Sequence, residues 1–188
     1  MNKLEIREQF KAKRNQLSDV EIELYSEEIA NRFLKYLTEH PEIQHIHIFL
    51  PIKRLKEVNT FPLVEKLLDR NYKLYTSKVS EDGLLKTLTI SNLENIIIDK
   101  WGIPLPKVQG ETSPENIQLI VVPLLAFDKK GFRIGYGKGY YDKLITQLDT
   151  RVIKLGFSFF EAVENLPIEP HDKELNMCIL PKKMCFFN

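Results

Sequence analysis

Read for where its apolar residues fall, the chain opens with two helices of different character. From Lys3 to about Gln16 the segment is dense in charge, with a thin apolar stripe at Leu4, Ile6 and Phe10, the pattern of a helix lying on a surface. A second helix starts at "SDVE", where Ser18 precedes Glu21 at the spacing that lets each side chain satisfy a free amide of the first turn. Ile22, Ile29, Phe33 and Leu37 then recur near helical spacing until Pro41. From Ile43 the period changes. "IQHIHIFL" is short, apolar and β-rich and meets Pro51 at once, which predicts a buried strand. A helix is predicted over Phe61 to Arg70, with Thr60 near its start and Asn71 at its end. "YKLYTSKV" alternates as a strand does, and Asp82-Gly83 marks a hairpin turn into "LLKTLTI". Residues 117 to 127, "IQLIVVPLLAF", read as a third strand; "YYDKLITQLD" reads as a helix and "RVIKLGFSF" as a strand.

Buried strands alternating with helices predict an α/β fold, a Rossmann-like sandwich whose largely parallel central sheet is flanked by helices. With no internal repeat and no linker long enough to divide the chain, residues 1–188 are expected to form a single domain; the Pro-rich "WGIPLPKVQGETSP" reads as one long surface loop.

Composition narrows the chemistry. At 188 residues, folding buries roughly 70% of the surface an extended chain exposes, so no disulfide or metal staple is needed. Lys and Arg number 27 against 26 Asp and Glu, a net charge of +1 that offers no global field for nucleic acid or an anionic membrane. Any anion site must be local. Cys178 and Cys185 form neither a disulfide framework nor a zinc motif and are expected to be reduced, inert thiols. The opening "MNKLEIREQFKAKR" is charged almost throughout and no run approaches a membrane span, so a cytoplasmic protein is expected.

The candidate chemistry concentrates in "RIGYGKGYYDKLI", residues 133 to 145, between an apolar strand and a helix. Backbone amides there lie beside the free N–H groups of the helix start, and Gly135, Gly137 and Gly139 let those amides turn toward a phosphate oxygen. Lys138 adds a point charge and Arg133 a planar fork. The spacing is not the dinucleotide G-x-G-x-x-G, because Tyr140 stands at the third glycine's place, and it is not a P-loop, because Tyr140 and Tyr141 follow the last glycine. The same residues would also serve as a tight turn before a helix with two packing aromatics. "FDKKGFR", which holds Arg133 near the loop, and Asp142 in the first helical turn, able to cap it or to hold a cation, weigh toward a site.

"VPLLAFDKKGFRIGYGKGYYDKLI" closely resembles the signature of the 5-formyltetrahydrofolate cyclo-ligase (methenyltetrahydrofolate synthetase) family. The resemblance extends to the basic first helix with Lys3 and Arg7, to "IHIFLP" followed by "EVNT", to "WGIPLP" and to "LPIEPHD". It implies an enzyme that uses ATP and Mg2+ to close 5-formyltetrahydrofolate, with or without a polyglutamate tail, into 5,10-methenyltetrahydrofolate with release of ADP and phosphate. By resemblance, Lys3 and Arg7 reach the ATP phosphates, although charge on such a helix ordinarily faces water. Arg133, Gly135, Tyr136, Gly137, Lys138, Gly139, Tyr140, Tyr141 and Asp142 would form the nucleotide loop, with Arg133, Lys138 and Tyr140 as its catalytic members. Asp142 and Asp172 would hold the metal. Glu57 would accept from the pterin, and Leu50, Trp101, Phe127, Tyr140 and Tyr141 would wall the folate pocket. The loop before Glu57, "IKRLK", is longer than the family pattern, and His171 is read as a structural neighbour of Asp172. Two other classes compete: a nucleotide- or folate-binding module without turnover, and sequence-independent RNA binding by the first helix, against which the neutral charge balance argues. The protein is expected to act as a monomer, with no nucleic-acid or membrane partner.

Overall fold

The computed structural model of the protein describes residues 1–107 and 110–187. In chain order its elements are α1 (Lys3–Asn15), α2 (Asp19–Glu39), β1 (His45–His47), α3 (Phe61–Asp69), β2 (Lys73–Val79), β3 (Leu85–Ile90), β4 (Ile96–Ile98), β5 (Pro104–Pro106), β6 (Leu119–Val122), β7 (Ala126–Phe127), β8 (Arg133–Ile134), α4 (Tyr140–Ile145), β9 (Ile153–Phe157), β10 (Met177–Ile179) and β11 (Met184–Phe186). One sheet runs in the order β11-β10-β9-β6-β1-β2-β3; neighbours from β10 to β2 are parallel, and β3 and β11 add antiparallel edges. This is the largely parallel α/β architecture that the alternation predicts.

The central strand β6 is apolar and buried at every position, as a strand covered on both faces must be. Its side chains alternate between two cores. Leu119 and Val121 join Ile29, Phe33 and Leu37 of α2 and Leu63 and Leu67 of α3, while Ile120 and Val122 join Leu144 of α4 and Val152 on the opposite face. The Ser18 and Glu21 side chains form the expected reciprocal cap of α2.

Several elements depart from expectation for local reasons. The strand read over 117–127 breaks at Pro123, which has no N–H for a ladder; Ala126–Phe127 pairs instead with Arg133–Ile134 as a separate ribbon. The "IQHIHIFL" strand pairs only over His45–His47, with one further bond from the Ile48 amide to the Tyr75 carbonyl at 2.8 Å. The Pro-rich segment is not a plain loop, because Pro104–Pro106 pairs antiparallel with Ile96–Ile98; residues 108 and 109 of that segment lie outside the described residues. The helix read from Tyr140 to Asp149 stops at Ile145, and β10 and β11 were not anticipated.

Topology then sets where a site can lie. Strand β1 pairs with β2 on one side and β6 on the other, so the chain reverses its direction of progress across the sheet between β1 and β6. Loops leaving the carboxyl ends of such a strand pair diverge and open a crevice. The loop after β1 carries Glu57; the segment after β6 carries the glycine motif.

Helix α1 lies over that second segment. Ile6, Phe10 and Arg14 are its buried residues, whereas Leu4, expected in the apolar stripe, faces solvent. Ile6 and Phe10 pack with Leu125, Ala126, Ile134 and Leu166, each burial worth about 1.5–3 kcal/mol. Among the described residues no helix is long and apolar enough to cross a membrane.

Candidate active site

Lys3, Arg7, Phe10 and Arg14 follow one another at spacings of four, three and four, which places them on one face of α1. That face turns inward. The Arg7 Nε donates to the Gly135 carbonyl at 3.1 Å, and Arg14 donates to the Tyr136 hydroxyl at 2.8 Å and to the Leu124 carbonyl at 2.6 Å. Gly137 holds φ +94°, and a Cβ built on it would lie 3.0 Å from the Arg7 Cζ. A side chain there would strain the backbone and push Arg7 away, so only glycine lets helix and loop meet this closely. Gly139, at φ +66°, opens α4 with nothing near its missing Cβ. Because α4 has only six residues, little dipole is available at its start. An anion here would depend on loop amides and side-chain cations.

Those cations surround a cavity of about 520 Å³ lined by Gly137, Lys138, Gly139, Asp142, Lys143, Thr146, His171 and Lys173. Three lysines with one aspartate make it a site for negative charge. Beneath it, the Arg133 fork is filled by protein oxygens. One arm donates to the Lys173 carbonyl and the other to Asp142 at 2.9 Å, with Arg133 buried. The expectation of a free fork facing phosphate is therefore not met in this arrangement; a guanidinium this deep is held charged by the carboxylate it ties to the 173 segment. Asp142 also accepts from the Lys173 amide at 3.2 Å.

At the rim, Lys3 bridges Asp172 at 2.6 Å and Glu169 at 2.8 Å, joining the first helix to the loop before β10. Burial opposes the charge on both Lys3 and Asp172, but their mutual hydrogen bond, with the Glu169 contacts, leaves Lys3 above and Asp172 below the ordinary range. His171 Nε2 lies 3.4 Å from Glu169, and Glu169, His171 and Asp172 could bring three ligand atoms within 4.8 Å of one another. Hard carboxylates at 142, 169 and 172 beside a cationic cavity suit a divalent ion carried by a polyphosphate; each of Asp142 and Asp172 would exchange a cationic partner for it.

The opposite wall is dry. Glu57 is buried, and its Oε2 accepts from the Ile52 amide at 2.8 Å. The loop that carries it is pinned on all sides: Lys56 donates to the Leu17 carbonyl, the Asn59 amide donates to Ser26 Oγ at 2.9 Å, and Thr60 Oγ1 donates to the Phe49 carbonyl at 2.7 Å. Burial pushes the Glu57 carboxyl above its usual range, opposed by the Ile52 amide, the Tyr136 hydroxyl and the charges of Arg14 and Arg54. Burial likewise raises the phenols of Tyr136 and Tyr141. His47, at the end of β1, is fully buried, 2.6 Å from Ser77 Oγ and edge-on to Tyr141 at 6.1 Å; burial drives its pKa down to about 3.

The structure thus gathers Lys3, Arg7, Arg133, Gly135, Gly137, Lys138, Gly139, Asp142 and Asp172 on one wall. Tyr136 has its backbone in the glycine loop, but its side chain points to the Glu57 wall. Tyr141 accompanies Glu57, Leu50 is buried in the core that also takes in Val58, and Tyr140 is half-buried at the head of α4. Two expected folate contacts sit elsewhere. Phe127 is sealed in the core edge-on to Phe187, with no open face. Trp101 is exposed, with Lys100 over its ring and its carbonyl accepting from Arg54, so it belongs to the outer rim. Sequence reading missed Arg14, His47, Lys143, Glu169 and Lys173. For Arg14 a signal existed, its place on the Lys3–Arg7–Phe10 face.

Against known proteins, the 5-formyltetrahydrofolate cyclo-ligase family matches residues 1–181. A 5-formyltetrahydrofolate cyclo-ligase of Mycoplasma genitalium is 26% identical, and one of Mycoplasma pneumoniae 29%, each over 95% of this chain and 98% of that protein. The solved structure of Aquifex aeolicus 5,10-methenyltetrahydrofolate synthetase aligns with a TM-score of 0.85 at 29% identity, covering 100% of this chain and 94% of its own. That of the Mycoplasma pneumoniae 5,10-methenyltetrahydrofolate synthetase aligns at 0.79 and 26%, covering 96% and 99%.

Proposed function

The chain belongs to the 5-formyltetrahydrofolate cyclo-ligase family, and from that premise we propose how its two walls divide the work. The enzyme cyclises 5-formyltetrahydrofolate to 5,10-methenyltetrahydrofolate with conversion of ATP to ADP and phosphate. The formyl oxygen is a poor leaving group; it attacks the γ-phosphorus of ATP, ADP departs, N10 of the folate attacks the activated carbon and loses its proton, and phosphate leaves. Such transfer relies on positioning and charge neutralisation rather than a side-chain nucleophile.

The observation that carries the reading is the placement of a lysine-lined cavity and a buried carboxylate on the two loops of one topological switch point. On the cationic wall, Lys3, Arg7, Lys138, Lys143 and Lys173 receive the phosphates with the amides around Gly135, Gly137 and Gly139. Arg133 positions Asp142 rather than touching the nucleotide. Asp142 and Asp172, with Glu169, hold Mg2+, which when bound neutralises phosphate charge. On the dry wall, Glu57 accepts from the N–H edge of the pterin, with Leu50, Tyr140 and Tyr141 against the ring and Trp101 at the rim. One chain supplies both walls, so a monomer in the cytoplasm suffices, with no nucleic-acid or membrane partner. A binding module without turnover is not favoured, because the relatives named above are ligases and synthetases.

The test is direct. Folded protein with ATP, Mg2+ and 5-formyltetrahydrofolate generates the near-ultraviolet absorbance of the methenyl product; tight ligand binding with no ADP release would reverse the assignment to the non-turnover class.

A further inference from the structure

One buried cation in the crevice touches neither the cavity nor a carboxylate. Arg14 is 3% exposed, yet its direct partners are a hydroxyl and a carbonyl, and its Nε is buried without any partner. A guanidinium is rarely buried without a nearby countercharge, because desolvation is not then repaid. The carboxylate on which its charge bears is Glu57. The Tyr136 hydroxyl accepts from Arg14 at 2.8 Å, and Tyr136 stands beside Glu57, each bearing on the other's titration. The Leu124 carbonyl, Arg14 and Tyr136 are thus hydrogen-bonded in series from α1 to the glycine loop, and Glu57, held by the Ile52 amide, flanks Tyr136 from the loop after β1.

We propose that Arg14, acting through the Tyr136 hydroxyl, is a positioning residue that keeps the Glu57 carboxylate charged and fixed in orientation as the acceptor for the folate's N–H edge. This rests on the assignment of Glu57 made above. A carboxylate in so dry a place would otherwise take up a proton and offer the pterin one acceptor fewer. The other groups facing Glu57 are Arg54 from the turn before it and the phenol of Tyr141 from α4. Arg54 is exposed and its charge is screened by water, which leaves Arg14 as the buried cation of the set. Burial raises the Glu57 carboxyl, and Arg14 and Tyr136 work against that rise, so their loss moves its titration upward.

The experiment is the pH profile of kcat/KM for 5-formyltetrahydrofolate in wild type, Tyr136→Phe, Arg14→Lys and Arg14→Met, each repeated in a Glu57→Gln background. Tyr136→Phe keeps the ring, and Arg14→Lys keeps the charge, should Arg14→Met fail to fold. Wild-type turnover and a raised folate KM in Glu57→Gln test the assigned reaction and the role of Glu57 by themselves. With both in place, Tyr136→Phe is expected to shift the acid limb upward by about one pH unit, an about tenfold loss below the limb, with the ATP KM unchanged. Arg14→Met is expected to shift it as far, Arg14→Lys less, and neither shift survives in Glu57→Gln. An acid limb that stays in place, a loss equal at every pH, or an effect that persists in Glu57→Gln overturns the relay.

Discussion

The two walls of the crevice solve opposite problems with similar residues. On the glycine-loop wall the charges come in pairs, Lys3 with Asp172 at the rim and Arg133 with Asp142 beneath it, and the lysines of the cavity stand open. On the Glu57 wall a single carboxylate, a guanidinium and a neutral histidine are buried, held by the Ile52 amide, the Leu124 carbonyl and the Ser77 hydroxyl. The first wall can exchange partners when a polyanion arrives. The second is fixed before any ligand binds, because each buried polar group would cost about 1–3 kcal/mol if its partner moved away. Adaptable electrostatics and rigid recognition therefore face each other across one pair of strands.

The largest break in this contrast should come from Arg133→Ala, which strips the paired wall of its deepest member and leaves Asp142 without its cationic partner. We expect a loss of about 3–5 kcal/mol in unfolding free energy by denaturant titration, since one half of a buried pair is stranded; a loss below 1 kcal/mol would place Arg133 among surface charges. The dry wall is probed next by pH. His47 is held near pKa 3 when folded against the ordinary 6.5. The unfolded chain thus binds the extra proton first, and this contribution is complete above about pH 6.5 and falls as pH drops toward 3. The slope is about 1.4 kcal/mol per pH unit. His47→Phe should flatten that segment of the stability curve; an unchanged slope would mean that water reaches the ring.

A smaller effect separates the walls by ligand. Gly137→Ala forces a side chain into left-handed backbone against Arg7, a strain of about 1–3 kcal/mol. The ATP KM should rise about tenfold or more while the folate KM holds; equal rises would merge the two walls into one. The mildest test is ionic strength. With a Debye length of about 10 Å at 0.1 M, added salt should weaken ATP binding and leave folate affinity nearly constant in titration calorimetry.

How much of this could be read from the sequence differs by wall. The glycine motif announced its loop, because Gly137 and Gly139 answer a backbone requirement that belongs to local chain geometry. The reciprocal cap at Ser18 and the hairpin at Gly83 were legible on the same ground. The dry wall was not. Arg14 shares the helix face of Arg7 and Phe10, which Lys13 does not, but its burial follows from docking α1 on Leu125 and Ile134, a decision made by distant chain. Phe127 and Trp101 erred in opposite directions for the same reason: an aromatic residue carries no local mark of whether it closes a core or rims a crevice. Pro123, in contrast, is a local signal; its missing N–H ends β6 and sends the chain toward the site.

The bond between Lys3 and Asp172 joins residues 169 positions apart. A chain growing on the ribosome must hold its first helix without that partner until residue 172 has been made. The cationic cavity, which His171 and Lys173 help to line, therefore cannot close before those residues emerge, and a polypeptide stopped short of them has no such seat for an anion.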